Sequence, residues 1–579
     1  RSLSKNEILE LYFNKIYFGQ RAYGVQAAAR AYYGQNIDEL SVARMAMIAA
    51  LPKAPSRVNP VTNPEAATHR RNYVLGRMRQ LGYIDEETYA GAVAEPDGAR
   101  LHKVSTVASA PYAAEMVRHE MVQRYGPEAY TSGFEVVTTI DPQRQGAANR
   151  ALRAGLQAYT QRHGYHGAED RVDMANSDRD AQRALLARYP DVGDLRAALV
   201  TGVDKQTAGV LLANGEQLTL AWDGLSWARP YKNVNSMGAE PKQAADILAA
   251  GDIVRVNQDD KGGWRLAQIP RISGALVSMR PQDGAIDALV GGYDFKHSKF
   301  NRVTQAQRQP GSSFKPVIYS AALEKGFTPA SMINDAPVVF DDPKLESTWR
   351  PENYSGKFYG PTRLREALYR SRNLVSIRIL RSIGAGYAAE YAERFGFSAD
   401  KLPHDLTLAL GSASVTPLQM ARAYAVLANG GYLVKPYLIQ RIHDASGAVV
   451  FAARPAIVCG HCPESMDSIT GDTEAALPLA PQMVNPENVW LMTSMMRDVI
   501  QRGTGVRARV LGRGDLAGKT GTTNDQMDGW FSGFNDRVVA TAWVGFDTPA
   551  PLGRGETGGR SALPVWIDYM AFALKGMPE

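Results

Sequence analysis

Three short motifs carry the side chains of an acyl-transfer site that needs no histidine. They are Ser312-Ser313-Phe314-Lys315, Ser371-Arg372-Asn373 and Lys519-Thr520-Gly521-Thr522-Thr523, in that order along the chain. A serine hydroxyl becomes a nucleophile beside a lysine amine whose pKa is lowered by burial. The other motifs add a second hydroxyl, a side-chain amide and a second amine. The predicted catalytic residues are Ser312, Lys315, Ser371, Asn373 and Lys519.

The third motif also predicts substrate binding. It precedes a pair of strands, so it can lie at a sheet edge, where Gly521 lets a substrate backbone approach closely. Lys519 and the threonine hydroxyls are expected to hold a substrate carboxylate. The backbone N–H groups of Ser312 and Thr522 are expected to form an oxyanion hole, in which one donor is worth about 2.7–4 kcal/mol of barrier. The predicted substrate-binding residues are Thr520, Gly521, Thr522 and Thr523.

Two of the motifs are short enough to recur by chance. Ser2-Leu3-Ser4-Lys5 repeats the serine–lysine spacing, and Ser4-Lys5-Asn6 repeats the serine–asparagine spacing. Lys519-Thr520-Gly521 occurs once. Because only the central motifs run in the order Ser312, Ser371, Lys519, we predict that these, and not the N-terminal matches, form the site.

The elements that must position these motifs lie in residues 271–579, which we predict to be one domain. A hairpin that turns at Asp283-Gly284 comes first, helices follow, and a second strand pair precedes a C-terminal helix. This order predicts an antiparallel sheet with helices packed on it. The predicted strands are Ala275–Met279, Ala285–Val290, Gly529–Phe534 and Val538–Phe546, and the predicted helices are Pro316–Lys325, Arg363–Ser371, Leu374–Ile383 and Pro417–Asn429.

Residues 1–95 are predicted to be helical, because apolar residues recur at helical spacing in Asn6–Gly19 and Leu40–Leu51. Two further predicted helices, Ala66–Leu81 and Asp85–Val93, complete this domain.

Residues 96–150 are predicted to be a linker that ends in a strand and a helix at the start of the next region. In residues 151–270 the apolar period changes to two, and Asn214-Gly215 between two such runs predicts a type I′ hairpin. This insert is predicted to be a small OB-like barrel. The fold class is therefore α+β multidomain.

The composition is that of a globular chain. Hydrophobic residues make up 45% and charged residues 21% of 579 residues, which argues against disorder of the whole chain. The net charge of +6 favours an anionic partner, such as a membrane surface or a pyrophosphate lipid, or serves solubility alone. No run of about 18 apolar residues and no signal peptide is present. Because the chain opens at Arg1, we expect an N-terminal part and any membrane anchor to be missing.

The two cysteines, Cys459 and Cys462, form one C-x-x-C pair. We favour a structural disulfide, given an oxidising compartment. A redox dithiol would need a thioredoxin-like context. A zinc site would need about four ligands, and the two cysteines with His461 make only three. Both remain alternatives.

Residues 271–579 resemble the transpeptidase domain of class A penicillin-binding proteins, in which the same trio of motifs occurs. Residues 1–95 resemble the C-terminal part of the family's peptidoglycan glycosyltransferase domain. The insert and the cysteine pair are similar to the Gram-negative type 1A subgroup. The stretches that carry the resemblance, besides the trio, are Lys5–Gly19, Arg21–Ala28, Phe300–Arg302, Leu410–Pro417 and Gly529–Phe531.

The resemblance implies a peptide substrate ending in D-Ala-D-Ala and no cofactor for transpeptidation. Ser312 would attack the penultimate carbonyl, Lys315 would take its proton, and Ser371 would pass a proton to the leaving amine. Asn373 would hold Lys315 and the substrate amide. An amine of a second stem peptide would then resolve the acyl-enzyme, and β-lactams would acylate the same serine.

For the glycosyltransferase, the resemblance places the acid/base glutamates upstream of Arg1, so Glu7 and Glu10 are not assigned that role. Lys5 and Arg21 are expected to contribute to a sugar-pyrophosphate site for a lipid-linked disaccharide, or else to serve packing and solvation. A divalent metal is compatible with the full-length glycosyltransferase.

The resemblance implies the periplasmic face of the bacterial inner membrane, with a single-pass anchor outside this chain. The insert is expected to contact outer-membrane, divisome or elongasome proteins. Its aromatic residues could also suggest single-strand nucleic acid, but the accompanying Asp252, Asp259 and Asp260 argue against that partner.

Two rival functions remain at the sequence level. A D,D-carboxypeptidase or a β-lactamase-like hydrolase would use the same serine site. A non-catalytic penicillin sensor or scaffold would need no intact site, whereas all the central motif residues are present here.

Overall fold

The structure is a computed structural model that describes residues 4–20, 22–102, 109–174, 178–259, 261–337, 350–458 and 478–579. The chain divides into two compact units, residues 1–109 and 110–579. In the described ranges, no helix combines the length and apolar character needed to cross a membrane.

The first unit is helical, as predicted. Its core forms around Tyr32, Met47 and Leu51. Its first helix begins with a capping box, in which Ser4 Oγ accepts from Glu7 N at 3.3 Å and the Glu7 carboxylate accepts from Ser4 N at 2.6 Å. None of that helix's residues is buried. The helices are α1 (Lys5–Lys15), α2 (Val25–Tyr33), α3 (Val42–Ala50), α4 (Pro64–Gln80) and α5 (Glu86–Ala94).

The stretch predicted to be a linker contains a 15-residue helix that the sequence analysis did not predict, α6 (Pro111–Tyr125). Only Tyr112, Ala113 and Met121 of α6 are buried, so its apolar face is too narrow to produce a clear periodic signal. The predicted strand and helix that follow are confirmed as β1 (Glu135–Thr138) and α7 (Pro142–His163).

The insert has its own small core around its sheet, in which strands run in the order β2-β8-β3-β4-β5 and β9 also pairs with β8. The described pairings form an open sheet and do not close into a barrel. The elements are β2 (Asp170–Arg171), α8 (Arg179–Leu186), β3 (Arg196–Val203), β4 (Thr207–Leu212), β5 (Gln217–Ala221), α9 (Trp222–Leu225), β6 (Tyr231–Asn233), β7 (Ser236–Met237), β8 (Asp252–Gln258) and β9 (Trp264–Ala267).

The hairpin predicted at Asn214-Gly215 is confirmed between β4 and β5, but its turn type is not I′. A type I′ turn needs positive φ at both central residues, and only Gly215 has it, at 87°. Asn214 instead accepts the Glu216 N–H through its side chain at 3.1 Å. The loop is therefore one residue longer than predicted, with glycine in its left-handed position.

The predicted antiparallel sheet of the last region is confirmed, with strand order β11-β10-β18-β17-β16. The elements from residue 273 onward are β10 (Ser273–Met279), β11 (Ile286–Val290), α10 (Lys315–Glu324), β12 (Met332–Asp335), β13 (Gly360–Arg363), α11 (Leu364–Tyr369), α12 (Asn373–Ile383), α13 (Ala385–Tyr391), α14 (Pro417–Ala428), β14 (Ile439–His443), β15 (Val449–Ala452), α15 (Pro486–Arg502), β16 (Ala517–Thr522), β17 (Asp528–Phe534), β18 (Val539–Gly545), α16 (Gly558–Ser561) and α17 (Leu563–Ala573).

Both faces of this sheet are covered by helices. Alternate residues of β10 separate into two cores: Ala275 and Val277 belong to one that includes α10, α12, α14 and α15, and Leu276 to one that includes α7 and α17. This packing leaves β16 at one edge of the sheet, next to the turn that carries Ser312.

Candidate active site

Ser312 lies in a short 3-10 turn, Gly311–Phe314, that leads directly into α10. The helix predicted at Pro316–Lys325 is confirmed as α10, which begins one residue earlier, at Lys315. The tighter turn brings residues i and i+3 into line, so Ser312 and Lys315 still lie on one side. Ser312 is half-buried and lines a cleft of about 740 Å³, whereas Lys315 is completely buried.

The Ser371 hydroxyl lies between the amines of both motif lysines. Its oxygen is 3.3 Å from Lys315 Nζ and 2.9 Å from Lys519 Nζ. Lys315 also donates to the Ser371 carbonyl at 3.0 Å and to Asn373 Oδ1 at 2.8 Å. The structure thus brings four of the five predicted catalytic residues into one hydrogen-bonded group, one turn from Ser312.

Both lysine amines are poorly solvated, and this changes their proton affinity. Burial lowers the pKa of the Lys519 amine to about 7. Burial, and secondarily the positive charge of Lys519, holds the pKa of Lys315 well below its usual range, while the Asp335 carboxylate acts in the opposite direction. A neutral amine at Lys315 can accept a proton near neutral pH.

Ser371 occupies a backbone conformation that is usually left to glycine. Its φ is 59°, in the left-handed region. Its N–H donates to the Leu368 carbonyl at 3.1 Å and the Arg372 N–H to the Ala367 carbonyl at 2.8 Å, which is the pairing that ends a helix with a Schellman motif. A non-glycine residue in this region costs roughly 1–2 kcal/mol. The end of α11 therefore holds a serine where its hydroxyl meets both lysines.

Lys519 belongs to the edge strand β16, which pairs on one side with β17. The Thr523 N–H donates to the Asp528 carbonyl at 3.3 Å. Because N–H groups alternate along an antiparallel strand, the Thr522 N–H points away from β17. It is thus on the same side as the Ser312 turn, where the oxyanion hole was predicted.

Gly521 is required by the packing of this turn rather than by a substrate alone. A Cβ at this position would lie 2.6 Å from Ser313 Oγ and closer still to the Pro310 carbonyl oxygen. Such contacts are well inside van der Waals distance. The motif alone predicts that this glycine lets a substrate backbone approach. The packing shows that a larger residue would also clash with the neighbouring turn.

The threonines of the third motif have partners of their own. The Thr520 and Thr504 hydroxyls are 2.6 Å apart, and Thr522 Oγ1 accepts the Gly558 N–H at 3.0 Å. Thr523 Oγ1 accepts the Asp528 N–H at 2.9 Å. All three threonines line the cleft, and the accepting hydroxyl of Thr522 keeps its proton for donation to a ligand.

Several cleft residues were missed by sequence reasoning. Thr504 and Thr557 each stand in a glycine-rich stretch, Gly503–Gly505 and Thr557–Gly559, and these stretches were the available signal. The others belong to none of the three motifs, although Arg370 and Asn524 each directly adjoin one. The missed lining residues are Glu352, Tyr354, Arg370, Thr504, Asn524, Asp525, Gln526, Thr557 and Gly559.

The remaining predicted residues lie outside this cleft. Lys5 is the exposed first residue of α1 in the first unit. Arg21, Cys459 and Cys462 lie outside the described residues. In the described ranges, His, Cys, Asp and Glu side chains form no group of three that could hold a metal ion.

Comparisons with known proteins divide the chain into three matched segments. Residues 1–79 match the family described as transglycosylase. Residues 165–272 match the penicillin-binding protein OB-like domain, and residues 274–550 match the penicillin binding protein transpeptidase domain.

Full-length relatives are similar over the whole chain. Penicillin-binding protein 1A of Pseudomonas aeruginosa is 50% identical, with alignment to 100% of this chain and 73% of the relative. The protein of the same name from Escherichia coli is 42% identical, over 100% of this chain and 75% of the relative. A crystal structure of penicillin-binding protein 1A from Haemophilus influenzae superimposes with a TM-score of 0.84 at 41% identity, covering 100% of this chain and 87% of that one.

Proposed function

This chain belongs to the penicillin-binding protein 1A family of peptidoglycan synthesis and matches its transpeptidase and transglycosylase domains, and on that premise we propose that Ser312 is the nucleophile of the transpeptidase reaction. One observation supports this role. Two buried lysine amines, those of Lys315 and Lys519, both hydrogen-bond to the Ser371 hydroxyl, and Lys315 lies one turn after Ser312.

In the first half-reaction, Ser312 Oγ attacks the penultimate D-Ala carbonyl of a stem peptide. The Lys315 amine in its neutral form takes the serine proton, and burial, which holds the pKa of this amine well below its usual range, favours that form. The N–H groups of Ser312 and Thr522 stabilise the tetrahedral oxyanion. The C–N bond then breaks and leaves an ester on Ser312.

The Ser371 hydroxyl delivers the proton that the leaving amine needs. The Ser371 oxygen accepts a hydrogen bond from Lys519, so the Ser371 hydroxyl proton is free to pass to the leaving amine. Lys315, on the other side of Ser371, then supplies a proton to the Ser371 oxygen. The terminal D-Ala leaves as a neutral amine. An amine of a second stem peptide attacks the ester by the reverse proton path, which forms the cross-link and restores Ser312.

Recognition of the substrate rests on its terminal carboxylate. Lys519, when protonated, and the hydroxyls of Thr520 and Thr522 present positive charge and donors along the edge strand. A β-lactam carries a carboxylate and a strained amide in a similar arrangement, so it acylates the same serine and is retained there.

The test is covalent labelling of the protein with a fluorescent penicillin. We expect one stable adduct per chain on wild type and none on Ser312→Ala. Ser313→Ala, at the buried neighbouring serine, is the matched control and should still form the adduct. Labelling that survives Ser312→Ala would overturn the assignment.

Product analysis separates the transferase from the hydrolase that uses the same site. With a stem-peptide donor and an amine acceptor, we expect a cross-linked peptide and free D-Ala. Trimmed peptide and D-Ala without the cross-link would instead support a D,D-carboxypeptidase.

We also propose that the protein works at the periplasmic face of the inner membrane, where D-Ala-D-Ala stem peptides and the lipid-linked disaccharide meet. The family membership supports this location. Fractionation of cells that express the full-length protein checks it, and recovery in the cytosol would contradict it.

A further inference from the structure

A buried carboxylate that the mechanism above does not use lies behind the serine–asparagine motif. Asp335, at the end of β12, is completely buried. Its Oδ1 accepts from Asn353 Nδ2 at 2.7 Å. Its Oδ2 has no hydrogen-bond partner among the described residues and lies 3.8 Å from Arg372 Nε. A buried carboxylate with one unpaired oxygen costs stability unless positive charge lies nearby.

Asn353 connects the Asp335 carboxylate to Asn373 of the serine–asparagine motif. Its Oδ1 accepts the Asn373 N–H at 2.8 Å and the Leu374 N–H at 3.4 Å, which caps the start of α12. Its Nδ2 donates to Asp335 and to the Lys357 carbonyl. The Asn353 amide is thereby fixed in one orientation, with its oxygen toward α12.

The Asn373 side chain is oriented in turn, with its oxygen toward Lys315. Its Nδ2 donates to the Glu352 carbonyl at 3.0 Å, which leaves Oδ1 to accept from Lys315 Nζ at 2.8 Å. A continuous series of contacts therefore runs from Asp335 through Asn353 and Asn373 to the amine next to Ser371.

The charges around the lysine pair explain why a carboxylate belongs here. Lys315 faces Lys519 from β16 and, at longer range, Asp335 from β12. Asp335 in turn faces Arg372 and the Tyr319 hydroxyl of α10. Two buried amines repel each other when both are protonated. One buried carboxylate stabilises the singly protonated pair and leaves a proton available for the leaving group.

We propose that Asp335 and Asn353 are positioning residues of the transpeptidase site: Asn353 orients Asn373 toward Lys315, and the Asp335 carboxylate retains one proton on the lysine pair. The proposal rests on the proposed function, because it takes Lys315 as the group that exchanges protons with Ser312.

The first experiment removes the charge and keeps the hydrogen bond. In Asp335→Asn, the side-chain oxygen still accepts from Asn353. We measure the second-order rate constant of Ser312 acylation by labelled penicillin from pH 4 to 10. The acid limb of the variant should shift to lower pH by about one unit, because the neutral form of Lys315 is favoured once the carboxylate charge is gone.

Asp252→Asn is the matched control for loss of a buried carboxylate. Asp252 is also almost completely buried, and its oxygens accept from Arg171 and from the Ala249 N–H in the insert. In the part of the chain that the structure describes, Asp252 does not contribute to the electrostatic environment of Lys315 or Lys519. Its pH profile should coincide with that of wild type.

The second experiment tests the contact between the two positioning residues. Asn353→Ala should lower the acylation rate constant roughly 10- to 100-fold, since Asn373 loses its orientation. Asn353→Asp should also lower it, because two carboxylates then face each other. The exchanged pair Asp335→Asn/Asn353→Asp restores one charge and one donor, and should recover most of the rate.

The outcomes separate this inference from the function on which it rests. An unshifted Asp335→Asn profile in a folded variant that acylates at Ser312 would overturn the inference and leave the function intact. If Asp335→Asn does not fold, the exchanged pair decides: recovery over Asn353→Asp supports the inference, and no recovery overturns it. Absence of any adduct on wild type would overturn both.

Discussion

The same residue types at the same spacing occur in two regions of this molecule with different consequences. Ser4-Lys5-Asn6 and Ser371-Arg372-Asn373 share the serine–asparagine spacing, and Ser2 to Lys5 repeats that of Ser312 to Lys315. At the N-terminus, Ser4 caps an exposed helix and Lys5 is exposed. In the second unit, the lysines are completely buried and share one hydroxyl. Burial and convergence, rather than spacing, distinguish a reactive group from a helix cap.

Replacing the buried amine by an apolar side chain of similar length should have the largest effect. Lys315→Met should lower the rate constant of penicillin acylation by roughly 10²–10⁴-fold, the usual contribution of a general base. Lys5→Met, at the matching position of the N-terminal motif, should leave it unchanged. Stopped-flow labelling measures both, and equal rates for wild type and Lys315→Met would remove Lys315 from the mechanism.

The pH dependence sharpens the comparison further. In the proposed mechanism acylation needs a neutral Lys315, so the rate constant should rise as pH increases through the lowered pKa of that amine. The proposed carboxylate binding needs a protonated Lys519, so the acylation rate constant should fall as pH increases through the Lys519 pKa of about 7. Each limb changes about tenfold per pH unit.

Lys519→Met should flatten the alkaline limb of that bell-shaped profile, and Lys5→Met should leave both limbs in place. A profile of Lys519→Met with an unchanged alkaline limb would assign that limb to another group.

Glycine substitutions compare a crowded site with an open one. Gly521→Ala should lower the free energy of unfolding of the second unit by about 1–3 kcal/mol, because its Cβ would press on Ser313 and the Pro310 carbonyl. A Cβ added at Gly76, inside α4, would meet open space, so Gly76→Ala should stabilise the first unit by roughly 0.5–1 kcal/mol. Denaturant titration measures both, and a neutral Gly521→Ala would contradict the packing argument.

A similarly small effect is expected at the N-terminal serine. Ser4→Ala removes a helix cap and should cost about 1 kcal/mol of first-unit stability, with penicillin acylation unchanged. Ser371→Ala, by contrast, should reduce acylation because both lysines lose their shared oxygen. Altered acylation in Ser4→Ala would show that the two regions are not independent.

Most regular elements could be predicted because their signals are local. The hairpin at Asp283-Gly284, the helices after Ser312 and the strand pair after Lys519 follow from apolar period and turn residues. The helix α6 was missed because only three of its side chains are buried. The type of the turn at Asn214 was predicted wrongly because Asn214 does not adopt a left-handed conformation and instead accepts the Glu216 N–H through its side chain.

The sequence by itself determined which side chains are available and in what order: Ser312, Lys315, Ser371, Asn373 and the single Lys519-Thr520-Gly521. Only the tertiary structure decided what they can do. It buries both amines, ends α11 with Ser371 in a left-handed conformation and places Asp335 behind the motif. Proton affinity depends on solvation and on charges that are distant along the chain. These quantities arise when segments that are separate along the chain, such as those of Lys315 and Lys519, pack together, and no local pattern encodes them.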